Sequence, residues 1–165
     1  MFTSIKEFLT EWKPEIKNTE NLYANLTEAS LNQKTFAEGR NLAQLAWHVI
    51  GVAGSLSATG LNIGGPDRNT PIPSTIKEMQ DIQKHVFEAV HDEVKNKWTD
   101  ANLQEEALMY GRFNWKNGFT LSTTLKHMIH HRAQMTVLMR QAGLKVPGMY
   151  GPSKEEAEAI QQAAK

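Results

Sequence analysis

Cysteine is absent from this 165-residue chain. That removes disulfides, thiolate metal ligands and a nucleophilic thiol together, so any bound metal must rely on histidine, carboxylate, amide or water. A charge excess is missing too: 18 Lys and Arg balance 18 Asp and Glu, and the pI is near 7.0. Nucleic-acid binders carry a basic excess or a basic stripe, and no run of Lys and Arg builds one here, so nucleic acid is not an expected partner. No stretch approaches the roughly 18 apolar residues of a membrane span. The segment Met1–Pro14 carries Lys6, Glu7, Glu11 and Lys13. It therefore lacks the apolar centre of a signal peptide, and a cytoplasmic location is expected. Internal repeats and low-complexity tracts are also lacking. The length fits one domain over 1–165, large enough to bury roughly 70% of its unfolded surface.

What is present is helical periodicity. Ile5, Phe8, Leu9, Trp12, Ile16, Leu22 and Leu26 recur at threes and fours and predict a helix from about Thr3 to Leu26. Pro14 falls inside it and should kink or interrupt it. A second helix is expected from about Asn41 to Thr59, before a loop rich in Gly and Pro from Gly60 to Pro73. A third starts near Ser74 or Thr75, where a capping residue and an early Glu lie together, and runs to about Trp98. A fourth spans about Leu121 to Gln141 and stops at Gly143, with Pro147 behind it. Between the last two, Ala107–Thr120 holds Asn117-Gly118, a favoured tight-turn pair, which predicts a short hairpin or ordered loop. A short capped helix is expected after Pro152. The pattern reads as all-α, an up-and-down four-helix bundle whose sites form between facing helices.

The chemistry concentrates in histidine. His127 and His131 are four apart on the fourth helix, so their imidazoles can aim at one point and supply half of a transition-metal site. His48, in the apolar run Leu42–Ile50, is a third candidate. A lone histidine on an apolar face is often a satisfied core residue. Three of them in a bundle core would leave several donors and acceptors needing partners, however, and a shared cation removes that cost. His130 points roughly 100° away from His131 and is a weak candidate for a supporting role. Gln134 lies near the same face, where it could orient a metal-bound water or satisfy a backbone group. Arg132 is expected to pair with a carboxylate or a helix end. His85 and His91 read as solvated, and Trp47, Tyr110, Phe113 and Trp115 as core or pocket wall.

Leu45-Ala46-Trp47-His48 and the pattern of His127, His130, His131, Arg132 and Gln134 resemble the DinB/YfiT-like superfamily of metalloenzymes. Leu26–Leu31, Leu138–Gly143, Pro147 and Met149–Pro152 have the same look, in the same order along nearly the whole chain. The family's His-Arg-Gly-Gln reads His131-Arg132-Ala133-Gln134 here; Ala is the better helix former, so the change suits a helix. The resemblance implies an up-and-down four-helix bundle with His48, His127 and His131 as ligands to nickel or zinc. It also implies open positions for water or substrate, and a homodimer. Two reactions of a small-molecule substrate follow. In one, a low-molecular-weight thiol is activated and transferred to an electrophile. In the other, a small ester or amide is hydrolysed. No carboxylate neighbours the paired histidines as in His-Glu-x-x-His, which favours the thiol. A stress-related bundle that binds metal or ligand without turnover is the non-enzymatic alternative.

Overall fold

The computed structural model describes residues 1–164. It is mostly helical, with α1 (Ile5–Ala24), α2 (Leu42–Gly54), α3 (Ile76–Lys97), α4 (Asn117–Gln141) and a shorter α5 (Lys154–Ala163). Strands β1 (Glu106–Met109) and β2 (Phe113–Lys116) pair antiparallel between α3 and α4. This two-stranded sheet corrects an all-α reading, although a hairpin was expected in that stretch. Helix α1 packs against α3 and α4, and α2 packs against the same two. Phe8, Trp12 and Phe87 stack through the α1–α3 seam with ring centroids 5.5 and 5.3 Å apart. The Trp12 indole N–H donates to the Phe87 carbonyl at 3.1 Å, so a large apolar ring is buried without leaving its polar atom unpaired. Among the described residues, no helix is long and apolar enough to cross a membrane.

Helix ends follow local chemistry. Asn41 and Gln44 form a reciprocal capping box at the start of α2, and the Thr75 hydroxyl accepts from the Glu78 N–H at the start of α3. Helix α2 stops at Gly54, and the expected last turn, Ser55–Thr59, tightens into 3-10 geometry. Two other expectations are corrected. Pro14 does not interrupt α1, which continues through it to Ala24. Pro14 is exposed, as is Thr10 one turn earlier, so water can satisfy the carbonyl that loses its N–H partner. The Asn117-Gly118 pair is not the hairpin turn. The chain reverses at Tyr110-Gly111-Arg112, where Tyr110 and Gly111 have φ of 55° and 69° and the Arg112 N–H donates to Met109. Asn117 and Gly118 instead open α4, four residues before the expected start, and both are buried. A Cβ on Gly118 would lie 2.2 Å from the Phe2 carbonyl oxygen, so only glycine lets the N-terminal segment cross there.

One buried charged group ties the first and fourth helices together. Arg132 of α4, 1% exposed, pairs with Glu15 of α1. Its guanidinium also donates to the Thr19 hydroxyl at 2.8 Å and to the Tyr150 hydroxyl at 2.8 Å. The Tyr150 hydroxyl in turn donates to Glu15 at 2.9 Å, pinning the segment between α4 and α5. The carboxylate partner expected for Arg132 is therefore on the first helix.

Candidate metal centre

Helix α2 buries nearly every apolar side chain it has, and its packing on α4 decides where His48 points. Its ring centroid lies 5.2 Å from that of His127 and 4.5 Å from that of His131, while His127 and His131 are 4.7 Å apart. One nitrogen from each of the three falls within 4.8 Å of the others, close enough for a single ion to be shared. The i, i+4 spacing supplies two of these rings from one helix face, and tertiary packing supplies the third.

The surroundings favour the neutral form of all three imidazoles. Burial pushes the His48 pKa down from 6.5 to about 4, with further lowering from the Arg40 guanidinium and the two neighbouring rings. His127 and His131 are lowered as well, by burial first; a hydrogen bond to Gln134 pulls His131 partly back. That bond is 2.8 Å, from the His131 Nδ1 to the Gln134 Oε1. An amide oxygen only accepts, so Nδ1 carries the proton and Nε2 keeps its lone pair. Outer partners of this kind fix the tautomer and orientation of a metal-binding histidine. The donor set thus fits a divalent transition metal: three neutral nitrogens converge, one of them held in register.

His48 and His127 line a cavity of about 660 Å³, within the usual range for small-molecule sites. It runs along α2 past Arg40, Gln44 and Trp47, and its outer wall is the Gly64–Ile72 stretch with Tyr110 of the hairpin turn. Two contacts hold that wall. The Trp47 indole N–H donates to the Thr70 carbonyl at 3.1 Å. At Gly54 the loop backbone comes so near that a Cβ would sit 2.9 Å from the Gly64 carbonyl oxygen.

The model of the DinB family matches residues 1–164. The chain belongs to the DinB family. It is similar to a Bacillus subtilis protein described as uncharacterized protein YrdA, with 38% identity over 157 residues, covering 94% of this chain and 93% of that one. Among solved structures it is similar to a DinB-like protein from Bacillus cereus, at 36% identity and a TM-score of 0.84, covering 91% of this chain and all of the other. A DinB-like protein of Bacillus subtilis, YjoA, shares the fold at 13% identity, with a TM-score of 0.65 over 87% of this chain and 97% of that one.

Within this DinB chain, the structure brings together His48, His127 and His131 and leaves the other histidines outside. His130 is exposed, and its Nε2 lies 3.2 Å from the Gln134 amide nitrogen. Gln134 thus bridges two histidines, and its oxygen meets a ring nitrogen where sequence reasoning anticipated a water or a backbone group. His85 is exposed on α3, and His91 of the same helix pairs with Asp92 at 2.8 Å. The aromatic set divides. Trp47 forms cavity wall and Tyr110 its rim, whereas Phe113 is 39% exposed, stacked on Trp115 with Arg112 over its ring, and is neither core nor wall. Sequence reasoning missed Arg40, Asp67 and Arg68, which also line the cavity. Exposed charged residues in a loop and before a helix cap carry no local mark of a site.

Proposed function

We propose that His48, His127 and His131 bind one divalent metal ion, nickel or zinc, and that the protein uses it to activate a low-molecular-weight thiol for transfer to an electrophilic small molecule. In this reading the four long helices form the up-and-down bundle that carries the site. The observation that carries the proposal is the convergence of three imidazoles, two of them lining a cavity whose one carboxylate is bonded to none of them. Asp67, the one carboxylate lining it, accepts from the Thr70 hydroxyl at 2.6 Å and from the Asn69 N–H at 2.9 Å. Hydrolysis by water calls for a positioned base, and Asp67 is tied through Oδ1 to its own loop rather than to any of the three imidazoles.

A divalent cation held by three neutral ligands keeps its full charge and lowers the pKa of a thiol or water in its open position. The chain's own residues do the rest. Gln134 holds the His131 ring with its proton on Nδ1. Arg132, one residue on, fixes the α4 backbone through Glu15 and Thr19. Trp47 and the loop tied to it form the cavity's wall.

Metal analysis of protein purified without chelator or metal-affinity column, beside His131→Ala, tests the site. About one equivalent is expected in the wild type and none in the variant. Protein that neither carries nickel or zinc nor takes them up would sink the metal reading. Loaded protein is then assayed with glutathione-like and bacillithiol-like thiols and a model electrophile. Thiol-dependent turnover is expected; metal without such turnover would overturn the transfer reaction and leave a metal-binding bundle.

A further inference from the structure

The cavity holds more than the histidines account for. Of the chain's arginines, Arg132 and Arg140 are paired with Glu15 and Glu155, and Arg112 covers Phe113. Arg40 and Arg68 both line the cavity, and neither has an ion-pair or hydrogen-bond partner among the described residues. An unpaired arginine on a convex surface is simply hydrated. In a concave site with low-dielectric walls, the field of such a charge is focused on whatever enters. The one acid present, Asp67, is engaged with its own loop and does not reach across to either guanidinium.

The placement along α2 adds direction. Arg40, just before the helix, and Gln44, Trp47 and His48 within α2 all border the cavity. Arg40 stands just before the Asn41 cap, two residues ahead of the first helical residue, Leu42. The cavity therefore combines two guanidinium groups, the indole of Trp47 and the imidazoles of His48 and His127 in its lining. A guanidinium presents paired N–H donors that match an oxyanion bidentately, which an ammonium does not.

We infer that this cavity is a subsite for a small molecule bearing an oxyanion, carboxylate or phosphate, and that Arg40 is the residue that selects it, with Arg68 contributing from the facing loop. The inference rests on the metal reading above only for what the other end of the bound molecule meets.

The test is calorimetric titration of the metal-loaded protein with succinate, methyl phosphate and the neutral dimethyl succinate. Wild type, Arg40→Gln, Arg40→Lys and Arg112→Gln are compared, with metal content and melting temperature recorded for each. Succinate or methyl phosphate should bind where dimethyl succinate does not, and the tighter of the two names the source of the oxyanion. Arg40→Gln should weaken binding about tenfold or more, and Arg40→Lys by less. Arg112→Gln, which removes the same charge outside the cavity, should leave it unchanged. Metal content should be the same throughout. Equal binding of the neutral diester, no binding of either anion, or an affinity unmoved by Arg40→Gln would each overturn the inference. Repeating the titration on metal-free protein separates the two readings, because the pull of Arg40 on the anion needs no metal. Arg40-dependent binding to a chain that takes up no metal would remove the metal reading and leave this one standing.

Discussion

A histidine in water gains its proton just below neutrality. His48 does so only near pH 4, because burial and the neighbouring Arg40 disfavour the imidazolium. Its folded pKa thus lies below its unfolded value of 6.5, and the unfolded chain takes up the proton first as pH falls. The metal-free protein should therefore keep this contribution to stability above about pH 6.5 and lose it progressively towards pH 4. Urea midpoints at pH 7.5 and 5.0 should show the loss in wild type and a smaller one in His48→Gln. Equal pH dependence in the two proteins would contradict the assignment. At this scale the sequence was informative where spacing alone determines geometry: His127 and His131 share a face because they are four apart. It could not show that Gln134 would turn its oxygen to a ring nitrogen, since that depends on rotamers set by packing. Arg40 was invisible for another reason. Its significance comes from a concavity closed by a loop more than twenty positions away, Gly64–Ile72.

Among the elements, the misread helix start shows how tertiary contact overrides local preference. Asn-Gly favours a tight turn, yet Asn117-Gly118 opens α4. The Asn117 side chain donates to the Asn102 carbonyl at 3.0 Å, and the Phe2 N–H donates to the Gly118 carbonyl at 3.1 Å. The turn went to Tyr110-Gly111, where only Gly111 carries a sequence signal and Tyr110 adopts a left-handed backbone that costs about 1–2 kcal/mol. Gly118→Ala should cost about 1–3 kcal/mol, as overpacking does, despite replacing glycine by the better helix former. Denaturant unfolding checks it, and a neutral or stabilising outcome would mean that the N-terminal segment moves aside freely. Helix α1 shows the converse. Its apolar spacing predicted one element, and Pro14 failed to break it because the lost hydrogen bond faces water.

For the whole molecule, the three histidines lie on helices far apart in sequence, and an ion shared by them would staple α2 to α4. A ligand that binds only the folded state stabilises it by about 2.7 kcal/mol at a hundredfold excess over Kd. For a chain of this size that corresponds to a rise in Tm of roughly 5–10 °C. Thermal unfolding with and without zinc or nickel should show the rise in wild type and not in His131→Ala. An unmoved Tm at saturating metal would show that the folded state gains nothing from it. The four long helices and their order were legible from periodicity. The cavity was only partly so, because its outer wall is a loop held by single contacts such as Trp47 to Thr70.

The Glu15–Arg132–Tyr150 group also sets a timetable. Its members are separated by 117 and 135 positions along the chain. At a synthesis rate of about 5–20 residues per second, the carboxylate leaves the ribosome roughly 6–27 s ahead of its partners. During that interval the carboxylate lacks its guanidinium partner, and burying it ionised would carry a desolvation penalty. The pair between α1 and α4 can therefore form only once the segment carrying His127 and His131 has been made.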